Sequence, residues 1–287
     1  MEIKGTLIPI GGDENKGLRI HKKEKYNIEY IEDSILSRVV AESGGKDSLI
    51  VIIPTASKIP DEVGQMYLDA FGKLGCSNLE IANIRSREDS GNPKFIDLVK
   101  KADCVMFGGG NQSQIIADIA ATEIHDILIK KYKNEAFVLA GTSAGAMAMS
   151  QEMITGSNPK RVFTKGAVGM GKGLGIIPQL IIDSHFIKRK RFGRLSGAVS
   201  RFPNLIGIGL DEDTGLVIKK GNFCEIIGSG MIIILDPRKL THNNAEEVAR
   251  GGFVSLSNLI THILAPGDSF DIAKNEIYAA QKYSENA

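Results

Sequence analysis

The chain has 287 residues, 43% hydrophobic and 24% charged, the proportions of a soluble globular protein large enough to bury a substantial core. Its 35 basic and 34 acidic residues leave a net charge of +1, which argues against a nucleic-acid or membrane partner held by bulk electrostatics. Three scattered cysteines, Cys76, Cys104 and Cys224, form no C-x-x-C pair, which argues against a disulfide framework or a zinc site and fits a reducing, cytoplasmic setting.

Short apolar runs alternate with amphipathic segments. Residues 7–10 read as a strand ending in Gly11-Gly12. Ile31, Ile35, Leu36, Val39 and Val40 share a helical face closed by Gly44-Gly45. The continuous β-branched run 49–53 is expected to be a strand buried on both faces. A helix over 60–74 with Pro60 in its first turn, a strand over 79–84 and a helix over 93–101 follow. The strand 104–107 runs into Gly108-Gly109-Gly110, and 112–131 reads as one long helix. This alternation predicts an α/β fold with a mostly parallel sheet and helices on both faces. Beyond residue 150 the pattern turns β-rich, with strands at 180–182, 206–210, 216–218, 225–227 and 231–235. Helices are expected at 188–201 and near Ala245. A single domain over 1–287 with a mixed, partly antiparallel C-terminal portion is expected. No apolar run reaches membrane-spanning length, and Met-Glu-Ile-Lys-Gly does not open a signal peptide.

The most informative stretch begins at Phe137. Four apolar residues predict a strand, Gly141-Thr142-Ser143-Ala144-Gly145 a sharp turn, and 144–149 the start of a helix. That is a G-x-S-x-G nucleophile elbow in the strand–turn–helix setting it requires. A serine nucleophile needs a base, and there are five histidines. His125 reads as a packing or surface residue on a helix, His21 and His242 lie in polar loops, and His262 follows an apolar run as a candidate core residue. His185 closes the strand 180–182, and functional groups of open α/β sheets gather at the carboxyl ends of strands. The strand 206–210 runs into Asp211-Glu212-Asp213. These acids read as a solvated turn, a helix cap, a metal site or the carboxylate that orients the imidazole. No further ligand stands at metal spacing, so the last fits best and no metal is expected. Gly108–Gly110 offers backbone N–H groups for an oxyanion hole, and the basic run 188–194 offers arginines for substrate carboxylates. The glycine-rich stretch 166–173 nearly matches a P-loop but lacks its final Ser or Thr, and reads as a loop.

Gly-Thr-Ser143-Ala-Gly-Ala, Phe107-Gly-Gly-Gly-Asn-Gln112, Asp183-Ser-His185-Phe-x-x-Arg189-x-Arg191-x-x-Arg194 and Gly209-Leu-Asp-Glu212-Asp-Thr together resemble the serine peptidase family that contains cyanophycinase and the aspartyl dipeptidase peptidase E. The likeness covers nearly the whole chain. The arginine triplet resembles the cyanophycinase pattern more than that of the dipeptidases. The resemblance implies a flavodoxin-like sheet and Ser143, His185 and Glu212 as nucleophile, general base and orienting acid. It implies an oxyanion hole at Gly109, Gly110 and Ala144. Gln112, Asp183, Ser184, Arg189, Arg191 and Arg194 would bind substrate. Ser184 stands where the cyanophycinase pattern has glutamine. The implied enzyme is a cofactor-free homodimeric exopeptidase releasing β-Asp-Arg dipeptides from cyanophycin. The alternatives are a peptidase of other aspartyl or isoaspartyl peptides, or a non-catalytic α/β protein binding peptides or nucleotides through its glycine loops.

Overall fold

Four- and five-residue apolar runs build the centre of the molecule. In the computed structural model, which describes residues 2–17 and 34–280, they form β1 (Thr6–Ile10), β2 (Ile50–Ile53), β3 (Leu79–Ile81), β4 (Cys104–Phe107) and β5 (Val138–Thr142). β1 pairs with β5, β5 with β4, β4 with β2 and β2 with β3, all in parallel. Every residue of β2, β4 and β5 is buried, as strands covered on both faces require. Side chains alternate between two cores. Leu7, Val51, Ile53, Val105, Phe107 and Leu139 point into one, and Ile8, Ile10, Ile52, Met106 and Ala140 into the other. α1 (Ile35–Glu42) and α2 (Pro60–Lys73) cover the second core. α3 (Pro93–Lys101), α4 (Gln112–Ile119), α5 (Glu123–Asn134) and α6 (Ala144–Ala148) cover the first. The expected α/β fold with helices on both faces is therefore present. The Ser34 hydroxyl caps α1 by accepting from the Ser37 amide at 3.1 Å. Ile31, assigned to the same face, lies outside the described residues.

The β-rich C-terminal part divides between two sheets. β10 (Thr214–Lys219), β11 (Phe223–Gly228), β16 (Ser269–Asp271) and β17 (Glu276–Tyr278) extend the central sheet antiparallel from β1. The order is β17-β16-β11-β10-β1-β5-β4-β2-β3. β8 (Leu180–Asp183), β9 (Ile206–Leu210), β12 (Ile232–Asp236) and β15 (Ile260–Leu264) form a second sheet in the order β15-β12-β9-β8, in which only β8 and β9 are parallel. α7 (Phe192–Arg201) packs on it. Two antiparallel pairs, β6 (Glu152–Ser157) with β7 (Val168–Lys172) and β13 (His242–Asn243) with β14 (Leu256–Ser257), and a 3-10 turn at Asp89–Gly91 complete the described elements.

Four expectations need correction. The stretch 112–131 is two helices, because the Thr122 hydroxyl accepts from the His125 amide and starts α5 afresh after Ala121 turns to φ 55°. Residues 188–190 form a turn before α7, with Lys190 at φ 52°. The segment near Ala245 is a turn rather than a helix. The glycine-rich stretch 166–173 holds β7, which pairs with β6 and lets the Thr155 side chain pack against its backbone.

Candidate active site

Ser143 sits between β5 and α6 with φ 51° and ψ −103°, a sparsely populated conformation for a residue with a Cβ. Its neighbours explain how the turn closes. A Cβ on Gly141 would come within 2.7 Å of the Gly145 carbonyl carbon, and one on Gly145 within 2.7 Å of the Phe107 Cβ. The Ser143 amide donates to the Ile10 carbonyl at 2.8 Å, tying the elbow to the end of β1. Its hydroxyl is 3.0 Å from Nε2 of His185. Nδ1 of His185 is 2.8 Å from Oε1 of Glu212. The three side chains arrive on the carboxyl ends of β5, β8 and β9, where the two sheets meet.

The Gly11-Gly12 turn completes this junction. The His185 amide donates to the Gly11 carbonyl and the Asp213 amide to the Gly12 carbonyl, each at 2.8 Å. Gly12 has φ 109°, and a Cβ there would lie 2.5 Å from both Cε1 and Nε2 of the imidazole. The ring is therefore seated on bare backbone. Of the three neighbouring acids, Glu212 meets His185. Asp213 instead accepts from the Asn15 amide at 2.9 Å and the Ser229 hydroxyl at 2.6 Å. Lys188 donates to Oε2 of Glu212 at 2.6 Å. Burial opposes ionisation of Glu212, but the hydrogen bonds from Lys188 and His185 outweigh it and hold the carboxyl below its usual range.

Gly109 packs beside Ser143, its Cβ position 3.6 Å from the serine Cβ. Among the described residues, the amides of Gly109, Gly110 and Ala144 have no protein acceptor. Gln112 is half-buried and donates to the Ile154 carbonyl at 2.7 Å. Asp183 is fully buried. It accepts from Arg194 through Nε at 2.8 Å and through Nη2, and from Arg191 Nη1 at 3.0 Å. Arg191 also donates to the Ser184 carbonyl at 2.6 Å. Burial pulls the Arg191 guanidinium below its usual pKa, Asp183 opposing. Ser184 is 1% exposed, with its hydroxyl 3.4 Å from that of Ser143. Arg189 is exposed.

The other histidines stand elsewhere. His125 is 2.8 Å from the Leu174 carbonyl and accepts from the Ala121 amide. His242 and His262 lie in β13 and β15, and His21 is outside the described residues. All three cysteines are buried and free, and burial pushes the Cys104 thiol up to about 12. Sequence reasoning gave no role to Gly12, Glu14 or Thr142, and took Lys188 as part of the basic run for substrate carboxylates, where the structure turns it to Glu212. The signal for Glu14 was available: it is an acid just beyond a strand end, the same feature that drew attention to Asp211, Glu212 and Asp213.

The peptidase family S51 model matches residues 21–226, which include Ser143, His185 and Glu212. The chain is 34% identical to a cyanophycinase of Geminocystis herdmanii over 94% of each protein. It is 33% identical to one of Trichormus variabilis over 96% of this chain and 89% of that protein. The fold is similar to a peptidase from an acI-B1 actinobacterium, with a TM-score of 0.66 at 22% identity over 94% of this chain and 98% of the other. It is also similar to a putative peptidase E of Listeria monocytogenes, with a TM-score of 0.50 at 15% identity over 78% and 96%. With a family model matched over more than half its length and two relatives above 30% identity along almost all of it, the chain belongs to peptidase family S51 and is a serine-type peptidase.

Proposed function

We propose that the protein is a cyanophycinase-type exopeptidase, cleaving a carboxylate-rich, arginine-bearing aspartyl polymer to β-Asp-Arg dipeptides through a Ser143–His185–Glu212 triad. The observation that carries this is the unbroken relay from Ser143 Oγ to His185 Nε2 at 3.0 Å and from His185 Nδ1 to Glu212 Oε1 at 2.8 Å. His185 takes the hydroxyl proton as Oγ attacks the aspartyl carbonyl. Glu212 stabilises the imidazolium, and the amides of Gly109, Gly110 and Ala144 receive the oxyanion. The imidazolium then protonates the leaving amine. Water, deprotonated by the same ring, attacks the acyl-enzyme and frees Ser143.

The substrate reading rests on charge. Asp183 offsets one of the two arginines it binds, so the cluster keeps one positive charge, and exposed Arg189 adds another. Both suit the free carboxylate that each branch of the polymer presents. Gln112 and Ser184 complete the pocket in this reading. The enzyme works as a cytoplasmic homodimer. Its buried free thiols fit a reducing compartment, and the exposed side chains of Phe163 and Phe253 offer apolar surface for a second copy. A second reading, a peptidase of other aspartyl or isoaspartyl peptides, is favoured by Ser184, whose short buried side chain reaches substrate less far than the glutamine of the cyanophycinase pattern.

The test has two parts. A neutral serine-directed phosphonate should label Ser143, with His185→Ala abolishing labelling; a folded wild type that resists labelling would point to a binding protein instead. Wild type should then hydrolyse cyanophycin faster than unbranched isoaspartyl dipeptides. The reverse preference would move the assignment to the second reading.

A further inference from the structure

Glu14 is a buried acid that the proposed chemistry does not use. Its side chain is fully covered, yet it is surrounded by donors. The Thr142 hydroxyl donates to Oε2 at 2.6 Å, the Tyr67 phenol donates to Oε1, and Lys16 Nζ lies 2.9 Å from Oε1. Burial opposes ionisation, but Lys16 and the two hydroxyl hydrogen bonds outweigh it and hold the carboxyl below its usual range. Burial and the adjacent anion push the Tyr67 phenol well up, so it remains a donor. A charged carboxylate stripped of water is tolerated only where such partners fix it.

Its partners lie where alignment matters. Thr142 is the residue before Ser143, and Tyr67 is a buried anchor on α2. The segment 10–15, which carries Glu14, touches each triad-bearing loop. Ile10 accepts from the Ser143 amide and Gly11 from the His185 amide. Gly12 seats the imidazole and accepts from the Asp213 amide, next to Glu212. Asn15 donates to the Asp213 carboxylate. One short segment is thus the common reference for three side chains that come from distant parts of the chain.

We propose that Glu14 is a positioning residue for catalysis, its carboxylate locking the segment 10–15 to the nucleophile elbow so that Ser143, His185 and Glu212 stay in register. The role is indirect, since Glu14 reaches the reacting atoms through Thr142 and the segment's backbone. It rests on the reading of Ser143 as nucleophile. Strain supports it, because the Ser143 backbone conformation persists only where its surroundings over-determine it.

The experiment compares Ser143→Ala, Glu14→Gln, Thr142→Val and the Glu14→Gln/Thr142→Val double variant. It measures kcat and KM on cyanophycin, the rate of Ser143 labelling by a neutral phosphonate, and the melting temperature. Assays run well below the lowest melting point, so that only folded enzyme is compared. A positioning role predicts a fall in kcat of about 30- to 100-fold for Glu14→Gln, the scale of an ångström-level misplacement, with a parallel fall in labelling. KM should stay within about threefold, because uniform binding is untouched. The double variant should be no worse than the poorer single variant, as expected of groups acting through one contact. A folded Glu14→Gln enzyme with kcat within about threefold of wild type would overturn the proposal, as would independent, multiplying losses. If Glu14→Gln does not fold, Thr142→Val decides alone, and unchanged kcat and labelling there count against the proposal. An active Ser143→Ala enzyme would instead overturn the nucleophile reading itself, and this proposal with it.

Discussion

Replacing Gly12 by alanine puts one methyl group against the base of the relay. The new Cβ would sit 2.5 Å from Cε1 and Nε2 of His185, where ordinary contact begins at 3.4 Å. The ring has to retreat by about 1 Å, and a misplacement of that size costs on the order of 100-fold in rate. It has little room to retreat without consequence, because Nδ1 is held by Glu212 at 2.8 Å and Nε2 faces Ser143 at 3.0 Å. A shift of that size disturbs the serine contact, the glutamate contact or both, since each is already at hydrogen-bond length. The expected fall in kcat/KM is therefore about 100- to 1,000-fold, approaching but not reaching loss of the base altogether. Stability should change far less. The left-handed φ of 109° costs a residue with a Cβ about 1–2 kcal/mol. Reduced freedom of the unfolded chain offsets about 0.4–1 kcal/mol of that. A net loss near 1 kcal/mol lowers Tm by about 2–4 °C. Turnover and Ser143 labelling, measured beside a melting curve, separate the two effects. A Gly12→Ala enzyme that turns over within about fivefold of wild type would refute the reasoning, since a ring displaced by an ångström cannot work at that rate.

Glu212→Gln should fold normally and lose about 1,000-fold in kcat, because an amide no longer stabilises the imidazolium. Asp213→Asn, whose carboxylate serves Asn15 and Ser229, should be much milder, and kinetics ranking the two the other way would move the orienting role to Asp213. Glu14 and Glu212 are both held below their ordinary value of 4.5. The unfolded chain binds protons that these folded carboxylates refuse, so stability should be constant above that pH and fall as pH drops beneath it. Glu14→Gln should flatten that fall in a series of melting curves, and an unchanged acid slope would contradict the assignment. Arg194→Ala strips buried Asp183 of its two-pronged partner and should cost about 3–5 kcal/mol of stability. Arg189→Ala should leave Tm alone and raise KM for cyanophycin, and a calorimetric result reversing the two would show that Arg189 is the structural arginine.

The parallel half of the fold was legible because its strands are covered on both faces. Residues 49–53 and 104–107 read as unbroken apolar runs, and nothing else of that length is stable between two layers of helix. The elbow was legible because Gly141 and Gly145 leave a signature where backbone meets backbone. The second sheet was not legible. β8, β9 and β12 were visible one by one, but β15 was not read as a strand, β12 lies between β9 and β15, and apolar alternation carries no address for a partner. β7 was hidden because its glycines suit the packing of Thr155, while glycine in a sequence reads first as a loop. At the site, the elbow motif picks out Ser143, the strand-end rule His185 and the acids Asp211 to Asp213, and the family resemblance Glu212 among them; Ser143 lies within hydrogen-bond reach of His185, and His185 of Glu212. Gly12 and Lys188 escape that rule because their roles arise only when β1 is brought against β8 and β9.

The charges around the relay are layered by depth. Asp183 is fully buried and answers Arg191 and Arg194; Glu14 is buried and answers Lys16. Glu212 is partly covered, with His185 on one oxygen and Lys188 on the other. Each of these three anions is therefore matched by a cation, whereas Oδ1 of the neighbouring Asp211 is buried without a hydrogen-bond partner among the described residues, and positive charge remains at Arg189 and in the excess of the Asp183 cluster. A reaction that creates an oxyanion in front of Ser143 and an imidazolium behind it needs donors on the first side and a fixed carboxylate on the second. In the proposed reaction Glu212 would serve the second side and the amides of Gly109, Gly110 and Ala144, which have no protein acceptor among the described residues, the first. The polarity of the relay therefore follows from which loops carry acids and which carry glycines, and exchanging those features between the ends of β4 and β9 would leave a serine and a histidine in contact with no direction for the proton to move.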